Sequence, residues 1–155
     1  MLYSARRYDK AIQQLQAILN TNNPKDSFTH AFLGYIYASK GESAEAINHY
    51  RQNIEIDGET TSIECFLGYA LAKAGRRDEA FALLGKLKTS KEYVSPAELA
   101  VFYAGLDDKE EAKASLEKAF AAHDLQLQYL KVDPHYDSLR LDPRFQELLR
   151  RIGMP

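Results

Sequence analysis

The sequence predicts an all-α fold in which antiparallel helix pairs stack side by side. Phe32-Leu33-Gly34-Tyr35 recurs as Phe66-Leu67-Gly68-Tyr69, an offset of 34 residues, and at the same offset Gly41 matches Gly75 and Ala46 matches Ala80. Self-similarity at this period is the mark of a repeat array. Each copy holds two helical stretches parted by a glycine. No alternating apolar pattern bounded by hairpin turns is present, so no sheet is expected.

The elements follow in chain order. Residues 1–22 read as the second helix of an incomplete repeat. Ala11, Leu15 and Ile18 stand where Ala46, Tyr50 and Asn53 stand later, so the chain is expected to begin in mid-repeat. A helix from Asp9 to Asn20 carries an apolar stripe of Ile12, Leu15, Ile18 and Leu19. Leaving that stripe in water forfeits about 1.5–3 kcal/mol per large side chain. Self-association through Ile12, Leu15 and Ile18, as a homodimer, is therefore expected.

Residues 23–58 form the first full repeat, with helices at Phe28–Lys40 and Ser43–Ile56; Gly41 between them suits a left-handed cap. Residues 59–92 form the second, with helices at Thr61–Ala74 and Arg77–Leu87 around Gly75. Residues 93–123 are a divergent third copy, in which Ala112, Leu116 and Leu99 follow Ala80, Leu84 and Leu67 by 32 residues. Ser95-Pro96-Ala97-Glu98 reads as a capping box opening its first helix, and Asp108–Ala121 is its partner. Gly34 and Gly68 lie inside helices, where glycine costs about 1 kcal/mol against alanine. Close helix crossing against Ala46 and Ala80 is the expected compensation. In residues 124–155, Asp133-Pro134 and Asp142-Pro143 each suit a helix start, and Pro143–Ile152 is expected to cap the array.

The spacing of Leu33, Gly34, Tyr37, Ala46 and Tyr50, repeated in Leu67, Gly68, Leu71, Ala80 and Leu84, resembles the tetratricopeptide repeat. The third copy keeps Leu99, Tyr103, Ala112 and Leu116, with Ala100 in place of glycine. The family's Trp position holds His30, Glu64 and Pro96, and its terminal Pro position holds Gly58 and Glu92. The resemblance implies a right-handed α-solenoid whose first helices line a concave face, used to bind protein or peptide. The stretch from Tyr93-Val94-Ser95-Pro96 through Asp142-Pro143-Arg144-Phe145 is similar to the tetratricopeptide tails of bacterial winged-helix regulators, serine/threonine kinases and adenylate cyclases. No kinase glycine loop, His-Arg-Asp triplet or DNA-binding helix-turn-helix accompanies it, so none of those output activities is assigned.

On the first helices, the stripe beside the core holds Phe28, Phe32, Tyr35 and Ser39, then Ser62, Phe66, Tyr69 and Lys73, then Val94, Glu98 and Val101, with Ala31 and Cys65 flanking. The candidate peptide groove is thus Phe28, Phe32, Tyr35, Cys65, Phe66, Tyr69, Lys73 and Val101. Family members that clamp a peptide carboxylate do so with Lys, Arg and Asn on this stripe. Here those positions are mostly Phe, Tyr and Val, which favours an apolar helix or extended segment over an acidic tail. The same aromatics could instead pack between repeats or against the C-terminal tail.

Composition sets the remaining limits. Of 155 residues, 45% are hydrophobic and 27% charged, and 20 basic against 22 acidic side chains leave a net charge of −2. That balance does not suit a nucleic-acid binder, and Arg6-Arg7, Arg76-Arg77 and Arg150-Arg151 read as solvated surface. The single cysteine gives no disulfide framework, and no apolar run reaches the roughly 18 residues of a membrane span. Met1–Lys10 lacks the layout of a secretion signal, so a soluble, cytoplasmic protein is expected. The four histidines, His30, His49, His123 and His135, show no helical metal spacing, and no nucleophile, base or phosphate loop converges. No metal, cofactor or catalysis is expected. The leading expectation is a scaffold for protein partners; the alternatives are a regulatory or self-association module of a larger bacterial regulator and, from a different class, an enzyme.

Overall fold

The computed structural model describes residues 7–21 and 23–154. The helices are α1 (Tyr8–Thr21), α2 (Ser27–Lys40), α3 (Ser43–Asp57), α4 (Thr61–Lys73), α5 (Arg77–Lys88), α6 (Pro96–Gly105), α7 (Lys109–Ala121) and α8 (Pro143–Arg151). Two 3-10 turns, Leu125–Tyr129 and Pro134–Leu139, join α7 to α8. Among the described residues there is no strand. The opening residues of the incomplete repeat, Met1 and Arg6 with them, lie outside the described residues.

Local chemistry accounts for the breaks. Gly41 and Gly75 adopt φ of +88° and +77°, the left-handed region that a side chain resists. The Gly41 N–H donates to the Ala38 carbonyl, and the Glu42 N–H donates to that of Tyr37, closing the end of α2. Thr60, Ser95, Asp108 and Asp142 each accept a backbone N–H at a helix start. Ser95 opens α6 as expected, but the Glu98 side chain does not complete a capping box. Its carboxylate accepts from the Ser62 hydroxyl of α4 at 2.7 Å. Asp133-Pro134 starts a 3-10 turn, whereas Asp142-Pro143 starts the α-helix that caps the array.

Helices pair as α2 with α3, α4 with α5 and α6 with α7, and α4 also packs on α3 and α6. The interior runs continuously through Leu33, Ile36, Tyr50, Ala70, Phe102, Leu116, Leu139 and Phe145. Each pair is too thin to bury its apolar stripe alone, and the neighbouring pair completes the core. The array is therefore an all-α solenoid of tetratricopeptide type. Among the described residues, no helix is long and apolar enough to cross a membrane.

Two expectations change in detail. The atoms that stand nearest to the helix glycines belong to aromatic rings. A Cβ on Gly34 would stand 2.6 Å from the Tyr50 ring, and one on Gly68 would stand 2.0 Å from the Phe102 ring. Tyr50 and Phe102 are themselves almost fully buried, so each ring occupies the space that the missing side chain leaves. Gly105 serves closer contact still, since a Cβ there would meet the Tyr69 Cα at 2.7 Å. The second change concerns α1, which is not left without a partner. It packs on α2, and Ile12 is buried inside the protomer.

Distant histidines also meet. His30 of α2 and His49 of α3 approach at 2.9 Å between their Nδ1 atoms, and His30 Nε2 faces the Pro24 carbonyl at 3.3 Å. A carbonyl only accepts, so His30 donates from Nε2 and its Nδ1 accepts from His49. His49 also stacks on Tyr37 with ring centroids 5.4 Å apart. Burial, with the neighbouring His30 adding to it, pushes the His49 pKa down from 6.5 to about 4. The unfolded chain therefore binds a proton that the folded chain resists. The stabilisation is complete above pH 6.5 and is lost as pH falls from there through about 4. Urea unfolding across that range should show a stability decline that is shallower in His49→Gln; an unchanged pH profile would show that His49 does not titrate this way.

Candidate functional site

The first helices of the three pairs, α2, α4 and α6, share one face, and the C-terminal segment folds back over part of it. The second 3-10 turn packs on α6 and α2. Asp133 anchors the segment by accepting from the His135 backbone N–H at 2.9 Å and from His135 Nδ1 at 2.7 Å. The Tyr35 hydroxyl also bonds this carboxylate. Burial alone would raise the Asp133 pKa, but the His135 imidazole and these hydrogen bonds outweigh it and hold the pKa below 3.8. Tyr136 donates its hydroxyl to the Ala97 carbonyl at 2.7 Å. At the start of the segment, Asp124 accepts from the Ser95 hydroxyl at 2.6 Å, tying the end of α7 to the start of α6.

His135 is the plug of this arrangement. It is 2% exposed, and its ring lies 4.7 Å from that of Tyr35, 5.6 Å from Phe66 and 4.5 Å from Tyr69. Tyr69 is thereby buried against the tail. So part of the aromatic stripe is satisfied internally, by packing on the C-terminal segment.

Beside the plug, a cavity of about 370 Å³ remains between α2, α4, α6 and the tail. Of the candidate groove residues, Phe32, Tyr35, Phe66 and Val101 line it, together with Ser62 and Glu98. The tail adds Tyr129, Val132 and Tyr136 to its wall. Phe28 is 67% exposed at the end of α2, with its ring 4.5 Å from that of Phe32. Lys73 is exposed at the far end of α4 and sits 5.7 Å over the Tyr69 ring. Cys65 is fully buried, so it offers no surface to a ligand. Burial raises its thiol pKa well above the usual range, with Glu98 and Glu64 adding to the rise, which leaves the thiol protonated and unreactive.

The residues missed on the sequence are those of the tail. Tyr129, Val132 and Tyr136 fall in residues 124–155, whose sequence reads as a cap and does not assign them to the cavity. The Asp133-Pro134 pair marked the turn, but nothing in its spacing says which face the turn lies on. Of the three residues expected to self-associate, Ile12 is buried within the chain, Leu15 is half-buried against its core and Ile18 is 38% exposed. Among the described residues, no three His, Cys, Asp or Glu side chains gather closely enough to hold a metal.

The tetratricopeptide repeat family model matches residues 29–60 and 97–122, which span α2–α3 and most of α6–α7. Over 84 residues the chain is 32% identical to a protein of Bos taurus named BBSome complex member BBS4. That match covers 54% of this chain and 16% of the relative, so the chain corresponds to a small part of the curated relative's length. No solved structure matches significantly. Tetratricopeptide repeats generally mediate protein–protein interaction.

Proposed function

We propose that the chain is an interaction scaffold that takes an apolar helix or extended segment of a protein partner along the face of α2, α4 and α6. The observation that supports this reading is the aromatic cavity, lined by Phe32 and left unfilled by the described tail, with the exposed Phe28 ring 4.5 Å from that of Phe32. A protein interior packs without voids of this size, and about 370 Å³ falls in the range of ligand sites, ~300–1,000 Å³. The mechanism is equilibrium binding: burial of apolar surface drives association, and no bond is made or broken.

Phe32→Ala tests the reading, because Phe32 is only half-buried and its truncation shortens a cavity wall without opening the core. Wild-type and variant protein, matched in thermal unfolding, are used side by side to retain partners from the source cells. A protein held by the wild type should be lost at least tenfold from the variant, as befits a central aromatic anchor. Equal retention by both would sink the groove proposal.

A further inference from the structure

Buried charges in proteins are paired, and most of those in this chain obey the rule. Glu64 meets Lys86 at 2.6 Å, Lys113 meets Asp142 at 2.6 Å and Asp133 meets His135 at 2.7 Å. Glu98 breaks it. The residue is 9% exposed, its carboxylate accepts from the Ser62 hydroxyl, and among the described residues no basic group forms an ion pair with it. Burial raises the Glu98 pKa against the Ser62 hydrogen bond, and the like charge of Asp124 adds to the rise.

Glu98 lines the cavity. Asp133 lies in the same wall, and no lysine, arginine or histidine is among the described lining residues. The rest of the wall is rich in rings, whose faces attract cations. Tyr50 contributes a second unmet polar group. It is 1% exposed and lines the cavity, and its hydroxyl has no hydrogen-bond partner among the described residues. The plug next door supplies the pattern within the molecule itself: His135, a flat nitrogen-bearing ring, is paired to a carboxylate and boxed by Tyr35, Phe66 and Tyr69.

We propose that the cavity receives an arginine side chain carried on the partner's apolar segment, its guanidinium paired with Glu98 against the aromatic wall. This deepens the groove reading and rests on it. Arginine fits better than lysine, because a guanidinium is planar, stacks on ring faces and is less strongly hydrated than an ammonium, so it enters an apolar-walled site at lower cost. The aliphatic stem matches the walls of Phe32 and Val101, and the five guanidinium donors suit the free lone pairs of Glu98 and the Tyr50 hydroxyl oxygen.

The probe is n-butylguanidinium, compared with its neutral isostere n-butylurea, titrated into the full chain and followed by chemical shifts of the Phe66 and Val101 resonances. The cation should bind saturably and at least tenfold more tightly than the urea, and Glu98→Gln should erase the difference. Tyr129→Leu is the second variant: Tyr129 is 44% exposed, so its loss spares the core and should weaken the cation several-fold while leaving the urea unchanged. Equal affinity for the two probes, no saturable binding of the cation, or a preference that survives Glu98→Gln would overturn the inference. Partner loss from Phe32→Ala without cation binding would retain the groove and remove the arginine. A cation preference with partner retention unchanged in Phe32→Ala would overturn the groove reading instead.

Discussion

Gly68→Ala is expected to lower the unfolding free energy by about 1–2 kcal/mol net, which for a chain of this length lowers Tm by roughly 2–8 °C. A Cβ at this position would lie 2.0 Å from Cε2 and 2.2 Å from Cζ of Phe102. Phe102 is fully buried in α6, so its ring can retreat only by pushing α6 away from α4. That movement would open the close contact at Gly105, where a Cβ would meet the Tyr69 Cα at 2.7 Å, and so forfeit packing between α4 and α6. Two terms compete. Alanine favours a helix interior over glycine by about 1 kcal/mol, and overpacking a filled core costs about 1–3 kcal/mol, occasionally more. At 2.0 Å the steric term wins.

Gly85→Ala provides the contrast. Gly85 lies within α5, is exposed, and has nothing within 4 Å of a Cβ, so only the propensity term operates. That variant should gain up to about 1 kcal/mol. Chemical unfolding of both variants separates the terms, and Gly68→Ala with Phe102→Leu should recover part of the loss. A Gly68→Ala protein as stable as Gly85→Ala would show that α4 and α6 are not locked by this ring.

The glycines also show how far the sequence was legible. The recurrence of Gly34 and Gly68 in one register revealed a helix array and a close approach, because an unfavourable residue repeated in a helix needs compensation. What filled the space was not legible, since the ring at Gly34 comes from its own partner helix and the ring at Gly68 comes from the next pair. Helix ends were readable for a related reason. Gly41, Gly75, Ser95 and Asp142 act on the backbone within a few residues, so their effect is written locally. The cavity wall was half legible: Phe32, Tyr35, Phe66 and Val101 come from helical spacing on the first helices. The tail across it did not follow, because its docking depends on Asp133, His135 and Tyr136 meeting groups from 39 to about 100 residues away, beyond any periodic signal. Glu98 shows the same limit. Its position three residues after Ser95 suggested a local capping role, and tertiary burial gave its side chain to Ser62 instead.

Asp133→Ala should cost at least about 3 kcal/mol and release the C-terminal segment from the face it covers. The carboxylate is 7% exposed and is the acceptor for three donors: the His135 N–H, His135 Nδ1 and the Tyr35 hydroxyl. Removing it leaves those donors buried, each at about 1–3 kcal/mol if water does not reach it, and breaking a buried charged pair typically costs 3–5 kcal/mol. The neighbouring residues amplify the effect, because His135 sits among three rings and Tyr136 holds the Ala97 carbonyl. Acid gives an independent check of sign. The folded-state pKa lies below the ordinary 3.8, so the stabilisation is whole above about that pH and disappears as pH falls through the lower folded value. The wild type should therefore lose stability steeply below pH 3.8, and Asp133→Ala should show a smaller loss over the same interval. Hydrogen exchange locates the damage: amides of residues 134–139 should lose protection well before those of α3 and α7. A loss under about 1 kcal/mol, with protection of the tail intact, would mean that apolar packing alone holds the segment, and that the buried carboxylate is dispensable to the surface on which a partner is proposed to dock.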